Sequence, residues 1–217
     1  MLSVRNLKAS IAGTPVLRDV SLQLEAGRTV VLIGRNGAGK TTTLRAVMGL
    51  QPVVGGTVEI DGVSLLSRPA FARAALGVGY APEDRRLITD FSVEENIELP
   101  MLALKLPTAE RRRRISEVYA LLPEVHEMRR RSGGGVSGGQ GKMVALARAL
   151  TVARKALLLD EPLQGLAPAL ALNYARVLGR LREARPELTL LVTESSPNLL
   201  RDIADCTVTI ERGATDR

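Results

Sequence analysis

The stretch VVLIGRNGAGKTTTLRAVMGL, residues 30–50, runs from four consecutive apolar residues through a glycine-rich turn into a helical pattern. Within it Gly34–Thr41 fits G-x-x-x-x-G-K-[ST] at each fixed position. The motif's mechanism requires this context, a buried strand before and a helix after. Its glycines let the backbone amides of Gly34, Arg35, Asn36, Gly37, Ala38 and Gly39 turn inward around a phosphate. Lys40 can reach the β- and γ-phosphates, the Thr41 hydroxyl can ligate Mg²⁺, and Thr42 completes the nucleotide-binding run. A chance glycine turn ahead of a helix would satisfy the spacing but not the context.

Such a loop needs a carboxylate for the metal, and ALLLDEP at residues 156–162 supplies two. Asp160 is expected in the Mg²⁺ shell. Glu161, one step further, faces the γ-phosphate side and can polarise the attacking water as general base. The bland alternative is a pair of solvated acids capping a strand.

A second glycine-rich loop enters a helix in RSGGGVSGGQGKMVALARAL, residues 131–150, with Gln140 twenty residues before Asp160. One nucleotide does not need two phosphate cradles. The segment Val136–Gln140, VSGGQ, resembles the signature of ABC-type ATPases, usually LSGGQ. With the first loop, LLLDEP and the loop LQGLAP, the resemblance covers nearly the whole chain in the expected order.

The resemblance implies an α/β fold: a P-loop NTPase, RecA-like core with an N-terminal antiparallel β-subdomain and an inserted α-helical subdomain. It implies MgATP as ligand and ATP hydrolysis as activity. It also explains the second cradle. Two such domains pair head to tail, and Ser137, Gly138, Gly139 and Gln140 of one chain close over the γ-phosphate held by the other. A serine and glycine amides at a helix N-terminus suit that task physically.

Further positions follow residue by residue. GYAPEDRR resembles the Q-loop segment, with Glu83 where glutamine is usual and a place near the metal. Gly165 and Leu166 fall in the D-loop. Glu194, in VTESS, stands where a γ-phosphate-sensing histidine is usual, and Ile11 where an aromatic stacks on adenine. A carboxylate beside a γ-phosphate would repel it. The form PE-x-RR, the following FSVEENI and GLAP at Gly165–Pro168 resemble the ATPases of branched-chain amino-acid importers. The implied partners are a second ATPase chain, identical or related, integral membrane permease subunits and, indirectly, an extracytoplasmic solute-binding protein. The implied location is cytoplasmic, on the inner face of the membrane through those permeases. A regulatory ABC ATPase with weak hydrolysis is the alternative.

Composition is consistent with this. The chain has 217 residues, enough for one domain, with 45% hydrophobic and 24% charged residues. Aromatics are only 2%, with no tryptophan, which argues against base-stacking platforms and nucleic-acid partners. The net charge of +7 suggests anionic partners, but much of the excess lies in Arg111–Arg114 and Arg129–Arg131, which read as solvated helix faces. The lone Cys206, in CTVTI, reads as a core residue, and the lone histidine, His126, as a surface one. No apolar run approaches the ~18 residues that span a bilayer.

Period and punctuation give the elements. LSVRNLKAS and PVLRDVSLQLE alternate around a turn at Ala12–Pro15, and GTVEIDG adds an antiparallel strand. TVVLI, GVGYA, KALLLD, LTLLVTE and CTVTIERG read as strands of a parallel sheet covered on both faces. RPAFARAAL, PALALNYARVLGRLREA and PNLLRDIA read as helices. From about residue 89 to 150 the pattern is helical, with a capping box at Ser92 and Glu95 and a second cap at Thr108. One domain over 1–217 is expected, with 1–88 and 151–217 as core and about 89–150 as the helical subdomain.

Overall fold

In the computed structural model, residues 1–216 are described; Arg217, the last residue of the expected core, lies outside them. The strands are β1 (Leu2–Ile11), β2 (Thr14–Leu24), β3 (Thr29–Ile33), β4 (Gly55–Ile60), β5 (Val63–Ser64), β6 (Val78–Ala81), β7 (Ala156–Asp160), β8 (Thr189–Glu194), β9 (Cys206–Glu211) and β10 (Ala214–Thr215). They form one sheet in the order β5-β4-β1-β2-β10-β9-β3-β8-β7-β6. Its two halves differ in kind. β1 pairs antiparallel with β2 and β4, whereas β9, β3, β8, β7 and β6 run parallel.

The parallel half explains the unbroken apolar runs. Side chains alternate between faces along a strand, and here both faces are buried. Leu157, Leu159, Leu190 and Val192 belong to one apolar cluster, while Ala156, Leu158 and Leu191 belong to the other. The second cluster also takes Leu44 and Val47 of helix α1 (Lys40–Val47) and the inward residues of β1, β2 and β4. The first takes α6 (Gly138–Leu150), nearly all apolar on its inward side, and Tyr174, Val177, Leu178 and Leu181 of α7 (Pro168–Ala184).

Helices α2 (Ala72–Ala75), α3 (Val93–Ala103), α4 (Thr108–Leu121) and α5 (Pro123–Glu127) complete the set. α3 packs on α6 and carries the expected capping box: Ser92 Oγ accepts from the Glu95 amide, and Glu95 accepts from the Ser92 amide. The buried Asn96 amide ties down the chain entering α3, accepting from Ile88 N at 2.8 Å and donating to the Ile88 and Ser92 carbonyls at 3.0 Å.

Three sequence expectations are corrected. Thr108 is not a cap; α4 begins at Thr108 with Pro107 as N-cap and no side-chain cap bond. A capping box needs an acid or amide three residues on, and Arg111 stands there. PNLLRDIA does not form an α-helix; only a 3₁₀ turn, Asn198–Leu200, follows Pro197, as is common in short connectors. Cys206 is exposed: it opens β9, of which only Ile210 is buried. His126 lies at the surface, as expected, its ring 4.7 Å from that of Tyr119.

Of the arginines at 111–114, Arg112 and Arg113 are exposed and Arg111 and Arg114 half-buried, and three of the four have acidic partners. Arg111 pairs with Glu98 at 2.7 Å, Arg114 with Glu110 at 2.7 Å, and Arg113 with Glu110 and Glu117. Among the described residues no helix is long and apolar enough to cross a membrane.

Candidate functional site

The glycine turn leaves β3 and is shaped by what lies around it. Gly39, the N-cap of α1, has φ +114°, and a Cβ there would lie 2.8 Å from Leu17 Cδ2. At Gly34 a Cβ would meet the Ile210 carbonyl oxygen at 2.5 Å. With no side-chain cap, the first amides of α1 stay available, as an anion site requires. Residues 34–38 wall an open hollow of about 670 Å³ with residues 209–212 on the other side.

Lys40 is buried beneath this turn. Its ammonium donates to the Gly34 carbonyl at 2.6 Å and the Arg35 carbonyl at 3.2 Å, and lies 3.0 Å from Glu161 Oε1. A charge so poorly solvated needs such partners. Thr41 faces the end of β7, its hydroxyl donating to Asp160 Oδ1 at 3.1 Å. Thr193 Oγ1 donates to the same oxygen at 2.9 Å, and the Tyr80 hydroxyl to Oδ2 at 3.2 Å. Burial nevertheless pushes the Asp160 carboxyl above the usual carboxylate range, and burial with Asp160's charge pushes the Tyr80 phenol up. An oxygen-donor set of a hydroxyl beside a carboxylate, buried and partly uncompensated, fits a hard cation such as Mg²⁺, which needs few protein ligands when phosphates supply the rest.

Glu161 occupies a strained position, with φ +43°. For a residue with a Cβ the left-handed region costs about 1–2 kcal/mol, so its surroundings must hold it there. Its amide donates to Thr193 O at 3.1 Å and Oγ1 at 3.0 Å. Its carbonyl accepts from Lys142 Nζ at 2.6 Å. Oriented with its NH₂ toward the acids, the Gln164 amide donates to Glu161 Oε2 at 2.7 Å and Glu83 Oε1 at 2.6 Å. Burial first, and then the charges of Glu161 and Asp160, raise the Glu83 pKa. Thr41, Glu83 and Asp160 line a second hollow of about 320 Å³ with Tyr80, Arg86 and Arg148.

Glu194 ends β8 buried, its carboxylate accepting the Leu163 amide at 2.8 Å while its carbonyl accepts the Gly34 amide at 3.3 Å. Burial pushes its pKa up to about 7, with the Leu163 hydrogen bond opposing and the Glu161 charge adding. The side chain thus anchors the start of the loop that follows Glu161.

The structure therefore gathers Lys40, Thr41, Glu83, Asp160 and Glu161 into one network at the carboxyl ends of the parallel strands, joined through Thr193 and Gln164, with the Glu194 carboxylate near enough for the Glu161 charge to act on it. Ser137–Gln140 stand elsewhere: among the described residues no hydrogen bond or ion pair joins them to residues 34–42. Ser137 caps α6, its Oγ accepting from the Gln140 amide while Gln140 Oε1 accepts from the Ser137 amide. Gly138 and Ser137 are exposed, so this helix end faces outward. Gly165, with φ +71°, and Leu166 follow Gln164 on the adjoining loop. Ile11, 47% exposed at the tip of β1, lines neither hollow.

Sequence reasoning missed Tyr80, Lys142, Gln164 and Thr193. Lys142 had a readable signal, a lysine in a helix otherwise apolar enough for the core. The others had none, since their roles depend on strands and loops far apart in the chain.

The profile of the family described as ABC transporter matches residues 17–164. The chain is 35% identical over 209 residues to the lipopolysaccharide export system ATP-binding protein LptB of Escherichia coli, covering 94% of this chain and 83% of that one. It is 32% identical over 213 residues to the high-affinity branched-chain amino acid transport ATP-binding protein BraG of Pseudomonas aeruginosa, covering 98% and 90%. Among solved structures, the dimeric structure of MJ0796, a bacterial ABC transporter cassette, matches with a TM-score of 0.86, covering 100% of this chain and 97% of that one. At 24% identity that likeness is one of fold.

Proposed function

The chain belongs to the ABC transporter family as an ATP-binding, ATP-hydrolysing domain that takes ATP with Mg²⁺, and from that premise we propose how its residues divide the work. The observation that carries the proposal is the convergence of Lys40, Thr41, Asp160 and Glu161, with Thr41 3.1 Å from Asp160 and Lys40 3.0 Å from Glu161. The amides of residues 34–42 and the Lys40 ammonium bind the phosphates. Thr41 and Asp160, with Glu83 nearby, hold Mg²⁺, which when bound supplies positive charge against that of the phosphates.

Phosphate binding gives Lys40 a stronger anion to pair with than Glu161. Glu161 then keeps its place through its backbone partners, with its carboxylate free to accept a proton from the attacking water. The Ser137–Gln140 turn of one chain closes over the phosphates held at residues 34–42 of a second chain, whether identical or related. This gives an outward-facing helix N-terminus its anion. Glu194 occupies the switch position, but its carboxylate is committed to the Leu163 amide. Ile11 offers adenine an apolar contact without a ring.

The domain works with integral membrane permease subunits, docked near Glu83–Arg86 and the start of α3, on the cytoplasmic face of the membrane. The solute we propose is a branched-chain amino acid or a similar small molecule, supplied by an extracytoplasmic binding protein. Support comes from the PEDRR and FSVEENI segments and from the similarity to BraG. The second reading, lipopolysaccharide export, is favoured by the similarity to LptB. Identification of the permease that co-purifies with the chain, followed by transport in vesicles, separates the two.

The test of the site is Glu161→Gln. Loss of a positioned general base slows turnover by about 10² or more, with ATP affinity kept. The variant is expected to accumulate as an ATP-bound dimer on size-exclusion chromatography. Undiminished turnover refutes Glu161 as the base.

A further inference from the structure

The glutamate at 161 is held in a left-handed backbone conformation from two directions. From the sheet side, Thr193 receives its amide through both carbonyl and hydroxyl, at 3.1 and 3.0 Å. From the helical side, Lys142 of α6 donates to its carbonyl at 2.6 Å. Lys142 is half-buried, and burial lowers its pKa while the charges of Glu194, Glu83 and Glu161, none within ion-pair distance, oppose that shift. A half-buried lysine whose ammonium bonds a main-chain oxygen and no side-chain carboxylate fixes a backbone rather than neutralising one side chain. Its helix begins at the Ser137 cap, five residues earlier. One rigid element thus carries both the outward-facing anion site and the donor to residue 161.

We propose that Lys142 is a positioning residue for ATP hydrolysis: its bond to the Glu161 carbonyl holds the strained turn that aims the Glu161 carboxylate, and links that aim to the helix starting at Ser137. The inference rests on the reading of Glu161 as the base. It requires no new reactant; the proton of the attacking water still goes to Glu161. Lys142 acts through the backbone of Glu161 rather than on the reacting atoms.

The test uses the full chain and MgATP. K142M keeps the apolar stem and removes the donor. Its kcat is expected to fall roughly tenfold, as for a reacting group displaced by a fraction of an ångström, while KM and nucleotide Kd stay within about twofold of wild type. K142R, which restores a donor, is expected to recover most of the turnover. In an E161Q background K142M is expected to cost nothing further, because the group it aims is gone.

K142M with wild-type kcat beside a slow E161Q overturns this inference alone. E161Q with wild-type turnover overturns it together with the assignment of the base. A K142M whose ATP affinity falls in step with kcat, or which slows E161Q further, shows a role elsewhere and overturns it too. Should K142M fail to fold, K142R carries the test, and a K142R as slow as E161Q overturns the proposal.

Discussion

Glu194 shows how a single side chain can differ from what its position suggests. Where a donor to phosphate is usual in the family it resembles, it places a buried carboxylate with its pKa raised to about 7 from an ordinary 4.5. Between those two values the unfolded chain has released this proton while the folded chain keeps it. Stability therefore falls as pH rises through that window and levels off above it. Burial of Asp160 and Glu83 acts in the same direction. Glu194→Gln keeps an acceptor for the Leu163 amide and removes the charge. We expect it to stabilise the chain at pH 8 by about 1–3 kcal/mol and to flatten the fall in melting temperature between pH 5 and 7, read by thermal denaturation across pH. An unchanged pH profile would place the charge in solvent. Lys40 makes the opposite case, a charge that is partnered whichever ion is present. Lys40→Ala removes a charge-assisted contact worth about 1.5–3 kcal/mol, so calorimetry should find ATP bound some tenfold to a hundredfold more weakly.

At the scale of elements, α6 has two tasks that place different demands on its ends. Its body supplies Val144, Ala145, Leu146 and Ala147 to the core, while its first turn must stay open and oriented. The Ser137 and Gln140 capping box serves that orientation. Ser137→Ala is expected to cost about 1 kcal/mol of stability, some 2–4 °C in melting temperature for a chain this size. It should also weaken ATP-driven dimerisation beyond what that loss explains, since the proposed closure sets this hydroxyl against the partner chain's phosphate. Equal dimerisation at matched stability would remove Ser137 from the interface. α4 is a contrast. Its arginines read as a solvated helix face in the sequence, and the structure adds acidic partners for three of them, Glu98, Glu110 and Glu117. The most exposed of these pairs, Arg113 with Glu117, contributes little to stability.

At the scale of the molecule, a parallel sheet buried on both faces joins a small antiparallel sheet edge to edge, and the cleft lies where β3, β7 and β8 end together. Ligands in open α/β sheets bind at the carboxyl ends of the strands, and Asp160 and Glu194 end their strands there. A ligand that binds only the folded chain stabilises it by mass action, by about 2.7 kcal/mol at a hundredfold excess over Kd. Saturating MgATP should therefore raise the melting temperature of the wild type by several degrees. Under the same conditions Lys40→Ala should show a much smaller rise.

The glycine turn between β3 and α1, the two acids at the end of β7, the buried strands and the capped start of α6 were all legible in the sequence. Each depends on residues within one short segment: hydrophobic period, glycine spacing and capping are local, so local sequence determines them. The fate of Cys206 and the uncapped start of α4 were misread because burial and capping there turn on neighbours outside the motif. Most of the cleft's chemistry was decided only by tertiary structure. Thr193 and Tyr80 reach Asp160, Lys142 and Thr193 hold Glu161, and the Leu163 amide donates to Glu194, across 19 to 80 residues of chain. Charges in a low-dielectric cleft are set by whichever groups the fold places within a few ångströms, and no pattern along the chain encodes that proximity.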